Sequence, residues 1–344
     1  MITRQPFAKH HQQDVSLFVL ENDQLKVSIL DYGAIITSII YKPLLRETAL
    51  GFTSLRDYYN QSAYLGAVVG RIGNRIRDGR FTLEGQAYEV PKNGPHHLHG
   101  GPNGYDQRIF DSDIQTDALV LTLNSPDGDQ GYPGNLKLQI VYSLSDASLV
   151  ISTSAICDQT SLVDPTQHTY FNLNADHAQS ILNHQLKLNS DLLYEIDEDG
   201  CTGSSTLKTI HTPFDFTQRK PLKEAMDFSH PQIQRVEGID HYFLKHDLNN
   251  PLFCEFSVDD LTLRVTTSHP GAHVYAGNYL KPLENGSVYP FLIPFGGICF
   301  ETQHVPNSIN FDLTQAPILQ ANTRMSSTTT YAYSQGNPDE NPKL

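Results

Sequence analysis

The sequence predicts an all-β protein, one large β domain with few short helices. Three observations carry that expectation. Short runs of alternating apolar and polar residues recur from residue 15 to about residue 333. Turn-forming pairs separate them, among them Asn22-Asp23, Asp78-Gly79, Glu84-Gly85, Asp127-Gly128 and Asn285-Gly286. Helical periodicity is almost absent.

Taken in chain order, Val15–Leu20 and Gln24–Leu30 read as the first strands, with a period of two that sets one face on a core and the other toward water. The best helical candidate follows at Leu55–Asn60, where Ser54 is placed to cap the first turn. The strand pattern resumes at Asp117–Leu123, Leu136–Tyr142 and Ser148–Thr153, and again at Leu261–Thr266. No repeat of 20–50 residues is visible, which argues against a propeller or solenoid. No linker rich in Pro, Gly and Ser divides the chain, so residues 1–333 read as one domain. Residues 334–344, polar and proline-rich, read as a tail.

Composition narrows the function classes. The 344 residues carry 24 Lys+Arg against 38 Asp+Glu, a net charge of -14, with no basic run of the kind that phosphate backbones attract, so no nucleic-acid partner is expected. At 39% hydrophobic and 18% charged, the chain is too apolar for disorder. No run approaches the 18 or so apolar residues of a membrane span. The stretch Met1–His10 lacks an apolar signal core, so a cytoplasmic protein is expected, with no membrane partner. The cysteines at 157, 201, 254 and 299 form no CxxC pair and read as free buried thiols.

Five segments place polar groups where alternation calls for apolar ones. In Gly66–Ile76 the glycines are spaced GxxxGxxG rather than as a dinucleotide fingerprint, and no helix follows. Asn74 and Arg75 there read as donors to ligand hydroxyls, or as an Arg tying down a strand end. The run His96-His97-Leu98-His99-Gly100-Gly101 reads either as a pocket wall or as a histidine-rich surface loop. The metal reading is weak, since no Glu follows the histidines. The glycine pair implies close backbone approach. If Thr166–Asn172 is extended, Thr166, His168, Tyr170 and Asn172 share one face, as a ligand surface or around a core histidine. Asp240 stands in an aromatic run, as a binding group or a turn residue. In Tyr289–Gln303, Glu301 interrupts an apolar stretch, and Cys299, Glu301 and Gln303 share the face opposite Ile298 and Phe300. An acid in such surroundings reads as a general base or as a carboxylate paired with Arg. There is no GxSxG or SxxK nucleophile motif. The residues alone support acid–base chemistry on a small polyol, or its binding.

Together these segments resemble the aldose 1-epimerase (galactose mutarotase) family. The strings that carry the resemblance are Gly70-Arg-Ile-Gly-Asn-Arg-Ile76, Leu98-His-Gly-Gly101, Ser125–Gly134, His168-Thr-Tyr-Phe-Asn-Leu173, Gly238-Ile-Asp240 and Phe300-Glu-Thr-Gln303, in that order. The resemblance implies a large antiparallel β-sandwich, the galactose mutarotase-like supersandwich, and interconversion of the α and β anomers of free hexoses such as glucose and galactose. It puts Glu301 as general base on the anomeric hydroxyl, His168 as general acid on the ring oxygen, and His99 as a second histidine at the ring side. Asn74, Arg75, Tyr170 and Asp240 become hydroxyl-binding positions, and no cofactor or metal is called for. Two positions depart from the family pattern: Gln167 precedes the expected acid, and His273 stands where the family often has Gln. The His273 change sits where the sugar's hydroxyls or C1 side would be sensed, so His273 joins the expected substrate-binding positions and the preferred sugar is in question. The alternatives are a preference for a disaccharide or a phosphorylated sugar, and a non-catalytic sugar-binding sandwich. Arg71, Arg75, Arg77 and Arg80 keep the phosphate alternative open, because a straight strand would put the first three on one face. A two-carboxylate hydrolase site from Asp240 and Glu301 is a weaker fit than two histidines.

Overall fold

The computed structural model describes residues 1–336. Three antiparallel sheets organise the chain. A five-stranded sheet runs in simple sequence order through Ile2–His10, Gln13–Glu21, Leu25–Leu30, Ile36–Tyr41 and Arg46–Glu47. A nine-stranded sheet places Arg324–Gln335 between Ser148–Cys157 and Leu261–Thr267, so the C-terminal strand joins the two halves of the chain. A six-stranded sheet runs Tyr170–Phe171, Ile298–Gln303, Gly271–Tyr275, Asp240–Leu244, Leu192–Ile196 and Thr202–Lys208.

The strands read from period-two alternation at residues 15–30, 117–153 and 261–266 form, because each presents an apolar face to the interior. In Leu136–Ser145, the residues Leu136, Leu138, Ile140 and Tyr142 are buried while Lys137 is exposed. The helix Leu55–Tyr59 is capped as expected, the Ser54 side chain accepting from the Arg56 N–H. A second short helix, Pro231–Val236, escaped the periodicity argument because six residues are too few to show a 3.6-residue period. Arg324–Gln335 extends two residues into the stretch expected as a tail; beyond Gly336, residues 337–344 lie outside the described residues. All four cysteines are free and buried. No helix among the described residues is long and apolar enough to cross a membrane.

The main core lies between the nine- and six-stranded sheets. Phe171 and Phe300 of the six-stranded sheet meet Tyr331, Phe253 and Phe256 of the other. Phe256 is fully buried, its ring centroid 4.7 Å from His184 and 5.8 Å from Phe300. Truncating Phe256 to Ala is expected to cost about 3–5 kcal/mol, since close-packed neighbours cannot fill the space. Urea unfolding checks this; a loss under 1 kcal/mol would mean the core is looser than its contacts show.

Candidate active site

A cleft of ≈ 190 Å³ lies beside the six-stranded sheet, and Asn74, Arg75, His99, His168, Tyr170, Asp240 and Glu301 all line it. The elements that deliver them follow from local sequence. On the strand Ile298–Gln303, period-two alternation sends Ile298 and Phe300 into the core, leaving Cys299 and Glu301 on the opposite face. Glu301 is 2% exposed, and its Oε2 has no protein hydrogen-bond partner.

His168 does not sit on the continuous strand expected over Thr166–Asn172. The chain pairs at Thr166–Gln167 and again at Tyr170–Phe171 with different neighbours. At the break, the His168 N–H donates to the Ala67 carbonyl and its own carbonyl accepts from the Gly66 N–H. The change of partner turns the faces. His168 and Tyr170 reach the cleft, whereas Asn172 donates to the Gln179 and Gly296 carbonyls in the interior. Thr166 borders a separate small cavity. Gln167 also points inward, accepting from the Tyr142 hydroxyl and donating to the Gly66 carbonyl, so that departure from the family pattern does not touch the cleft.

Asn74 and His99 are clasped backbone to ring: the Asn74 N–H donates to His99 Nδ1 at 3.0 Å, and the His99 N–H donates to the Asn74 carbonyl. Gly100 makes this clasp possible. At φ +87 it packs against the Gly70 carbonyl with no room for a Cβ. Of the three clustered histidines only His99 reaches the cleft. His96 Nδ1 accepts from the Asp78 N–H, and His97 is pinned between the Pro91 carbonyl and the Tyr132 hydroxyl.

The arginines do not converge. Arg71 is buried among the carbonyls of Ser125, Pro133 and Gly134, tying the segment down. Arg77 pairs with Asp197 and Arg80 with Glu89. The chain bends at Asn74, φ +60, between Arg71 and Arg75, and leaves the strand Arg75–Ile76 for a turn at Arg77–Gly79, so no straight strand aligns them. Arg75 is the single arginine among the described residues lining the cleft. That removes the clustered cations a phosphate would need.

Asp240 begins the strand Asp240–Leu244 and accepts from or shares a proton with His273, Oδ1 to Nε2 2.6 Å. Gly238 shapes this corner, since a Cβ there would lie 2.6 Å from Asn278 Oδ1. The Asn278 amide in turn holds the Val236 and Ile239 carbonyls. His273 itself does not line the cleft: it stands behind Asp240 and acts on the cleft through that carboxylate. Residue-by-residue reasoning missed the polar wall residues Ser62, Tyr64, Tyr275 and Tyr279. Tyr275 was findable, being two positions beyond His273 on the same strand face. Tyr64 and Ser62 lie outside any strand and gave no periodic signal.

The electrostatics divide the groups by role. Burial, reinforced by His168 and Arg75, pushes the His99 pKa well below 6.5. His99 is therefore neutral, and because its Nδ1 accepts, its proton is on Nε2. Burial alone would raise the Asp240 carboxyl; the His273 hydrogen bond and charge, with Arg75, instead hold it at about 2. Burial pushes the Tyr170 phenol well up, and its hydroxyl donates to the Ala63 carbonyl at 3.0 Å. At the centre, His168 Nε2 and Glu301 Oε1 are 3.5 Å apart. His168 Nδ1 lies 3.4 Å from the Cys299 sulfur. The cleft thus sets a carboxylate beside an imidazole, with side-chain hydrogen-bonding groups around them. His99, His168 and Glu301 also present atoms within 4.8 Å of one another, a set able to hold a cation.

Comparison with known proteins gives a consistent result. The sequence model of the aldose 1-epimerase family matches residues 16–332. A galactose mutarotase of Mus musculus is 34% identical over 330 residues, covering 93% of this chain and 94% of that protein. An aldose 1-epimerase of Haemophilus influenzae is 36% identical over 305 residues, covering 86% and 88%. The crystal structure of a galactose 1-epimerase from Lactobacillus acidophilus superposes with a TM-score of 0.88 at 28% identity, covering 98% of this chain and 99% of that one.

Proposed function

The chain belongs to the aldose 1-epimerase family, and from that premise we propose that Glu301 and His168 perform the anomer exchange in this cleft. The protein is a mutarotase acting on hexoses. In the proposed reaction, Glu301 takes the proton from the C1 hydroxyl of the closed sugar while His168 Nε2 protonates the ring oxygen. The C1–O5 bond breaks, leaving an open-chain aldehyde with a hydroxyl at C5. Rotation about C1–C2 turns the other carbonyl face toward that hydroxyl. His168 then takes the C5 hydroxyl proton as O5 attacks C1, and Glu301 returns its proton to the new C1 oxygen. Atoms and protons balance over the cycle.

The observation that carries this reading is the pairing of Glu301 Oε1 and His168 Nε2 at 3.5 Å, beside a buried carboxylate oxygen that has no protein partner. The two reacting oxygens of a pyranose share one carbon, so the acid and the base must be neighbours. Each positioned proton transfer contributes roughly 10²–10⁴-fold, and orientation adds to it. Neutral His99 serves as a fixed hydrogen-bond donor from Nε2 rather than as a second acid. The decay of optical rotation of freshly dissolved α-D-glucose or α-D-galactose tests the activity directly. No acceleration over buffer would return the protein to a sugar-binding sandwich.

Asp240 and Arg75 serve as hydroxyl-binding groups, with His273 holding the Asp240 carboxylate in place. Asp240→Asn is expected to raise KM at least tenfold, the lower end of what a hydrogen bond to a charged group contributes, with a smaller change in kcat. An unchanged KM across glucose, galactose, xylose and maltose would remove Asp240 from substrate binding.

A further inference from the structure

A second histidine–carboxylate cluster lies apart from the cleft. Asp164, His269 and His304 each offer one donor atom, and these atoms lie within 4.8 Å of one another. We propose that these three residues form a divalent-cation site, and that zinc is the metal their two-nitrogen, one-oxygen donor set fits.

The geometry is close to what the ion needs. Zinc held at about 2.0–2.2 Å from each donor sets tetrahedral ligands roughly 3.4 Å apart. Asp164 Oδ1 lies 3.0 Å from His304 Nδ1 and 3.9 Å from His269 Nδ1, on either side of that spacing. The imidazole planes are perpendicular, with centroids 5.4 Å apart, so the rings do not block one another. The carboxylate is oriented from behind: its Oδ2 accepts from the His304 N–H at 2.8 Å. Asp164 and His269 are buried, whereas the His304 side chain is 37% exposed and gives the ion a way in from solvent.

The protonation states favour the ion at Asp164 and His269 and oppose it at His304, where burial alone would lower the imidazole but the Asp164 carboxylate holds it above its ordinary value. Burial alone would raise the Asp164 carboxyl, but His304 and His269 hold it below the usual carboxylate range, so it is anionic. Burial pushes His269 down to about 4, which leaves its nitrogen lone pair free of a proton. His304 gives up the proton it shares with Asp164, and that proton goes to solvent as the metal takes its place.

The position of the cluster indicates what the ion would do. Asp164 is four residues before His168, His304 is three after Glu301, and His269 is four before His273. One ion would join the three segments that carry the proposed acid, the proposed base and the Asp240 support. Its role is to stabilise and align them, without contact with the sugar.

The test uses the full-length protein, stripped with EDTA and desalted, then titrated with ZnCl₂ while thermal unfolding is followed. At a hundredfold excess over the dissociation constant, the melting temperature is expected to rise by about 3–4 °C for a chain of this size. The rise should persist in His168→Gln, which disables the cation-capable set in the cleft. It should vanish in His304→Gln and Asp164→Asn, both of which keep a hydrogen-bonding group where the charge or ligand was. Equilibrium dialysis with Co²⁺ gives a second readout, one ion per chain in His168→Gln. No rise in the unsubstituted protein, a rise that survives both cluster substitutions, or a rise lost only in His168→Gln each overturns the proposal.

Discussion

Glu301→Gln is expected to lower kcat about 10²–10⁴-fold and kcat/KM by the same factor, with the fold intact. The substitution is nearly isosteric, and the structure predicts no compensating structural loss. Oε2 has no protein partner to forfeit, and Oε1 meets His168 at 3.5 Å, a distance an amide tolerates. On the proposed mechanism, what disappears is the proton acceptor. On the same reading Arg75 and Asp240 still hold the sugar hydroxyls, so binding should change little and the loss should fall on the chemical step. Polarimetry on α-D-galactose, paired with a circular dichroism spectrum, checks both halves of the claim. Full retained activity would take Glu301 out of the mechanism.

His168→Gln is expected to cause a loss of the same order, for the complementary reason: a glutamine amide donates a hydrogen bond but cannot hand its proton to the ring oxygen. The backbone bonds of residue 168 to Ala67 and Gly66 do not involve the side chain, so the crossing point of the two strands should survive. The imidazole packs near Tyr170 and His99, with centroids 5.1 and 5.2 Å away, so some loss of stability is expected alongside the kinetic effect. The double variant with Glu301→Gln should fall far short of the product of the single losses, since the two groups serve one proton cycle. Multiplicative losses would mean that the groups act in separate steps. The pH–rate profile of the unsubstituted protein should be bell-shaped, one group starting deprotonated and the other protonated. His99 should add no limb near neutral pH, because burial keeps it neutral there.

Much of the cleft was readable from residue types in context. Glu301 could be singled out because a carboxylate interrupting an apolar strand has only a few physical justifications, and Asp240 by the same logic in its aromatic run. The Leu98-His-Gly-Gly101 string signalled close backbone approach, and Gly100 against the Gly70 carbonyl is that approach. His273 differs from its expected place. The resemblance sets it where the sugar would be sensed, yet its hydrogen bond to Asp240 holds it behind that carboxylate, outside the cleft lining. The four arginines between residues 71 and 80 mislead for a related reason. Bends at Asn74 and at Arg77–Gly79, with the burial of Arg71, send them to four different environments.

By itself the sequence determined the class of the protein. Alternation with period two is a local property, and it specifies strands whose apolar faces must be buried against other sheets whatever their order. The chain has no tryptophan, and Asn, Arg, His, Asp and Tyr side chains supply the polar and aromatic wall of the cleft. Tertiary structure alone decided which of fifteen histidines meet a carboxylate, and at what distance. His168 lies 133 positions from Glu301, and contacts across such separations depend on strand order and register, which no local pattern encodes. The same long-range pairing that brings His168 to Glu301 also brings Asp164, His269 and His304 together at the other end of those segments.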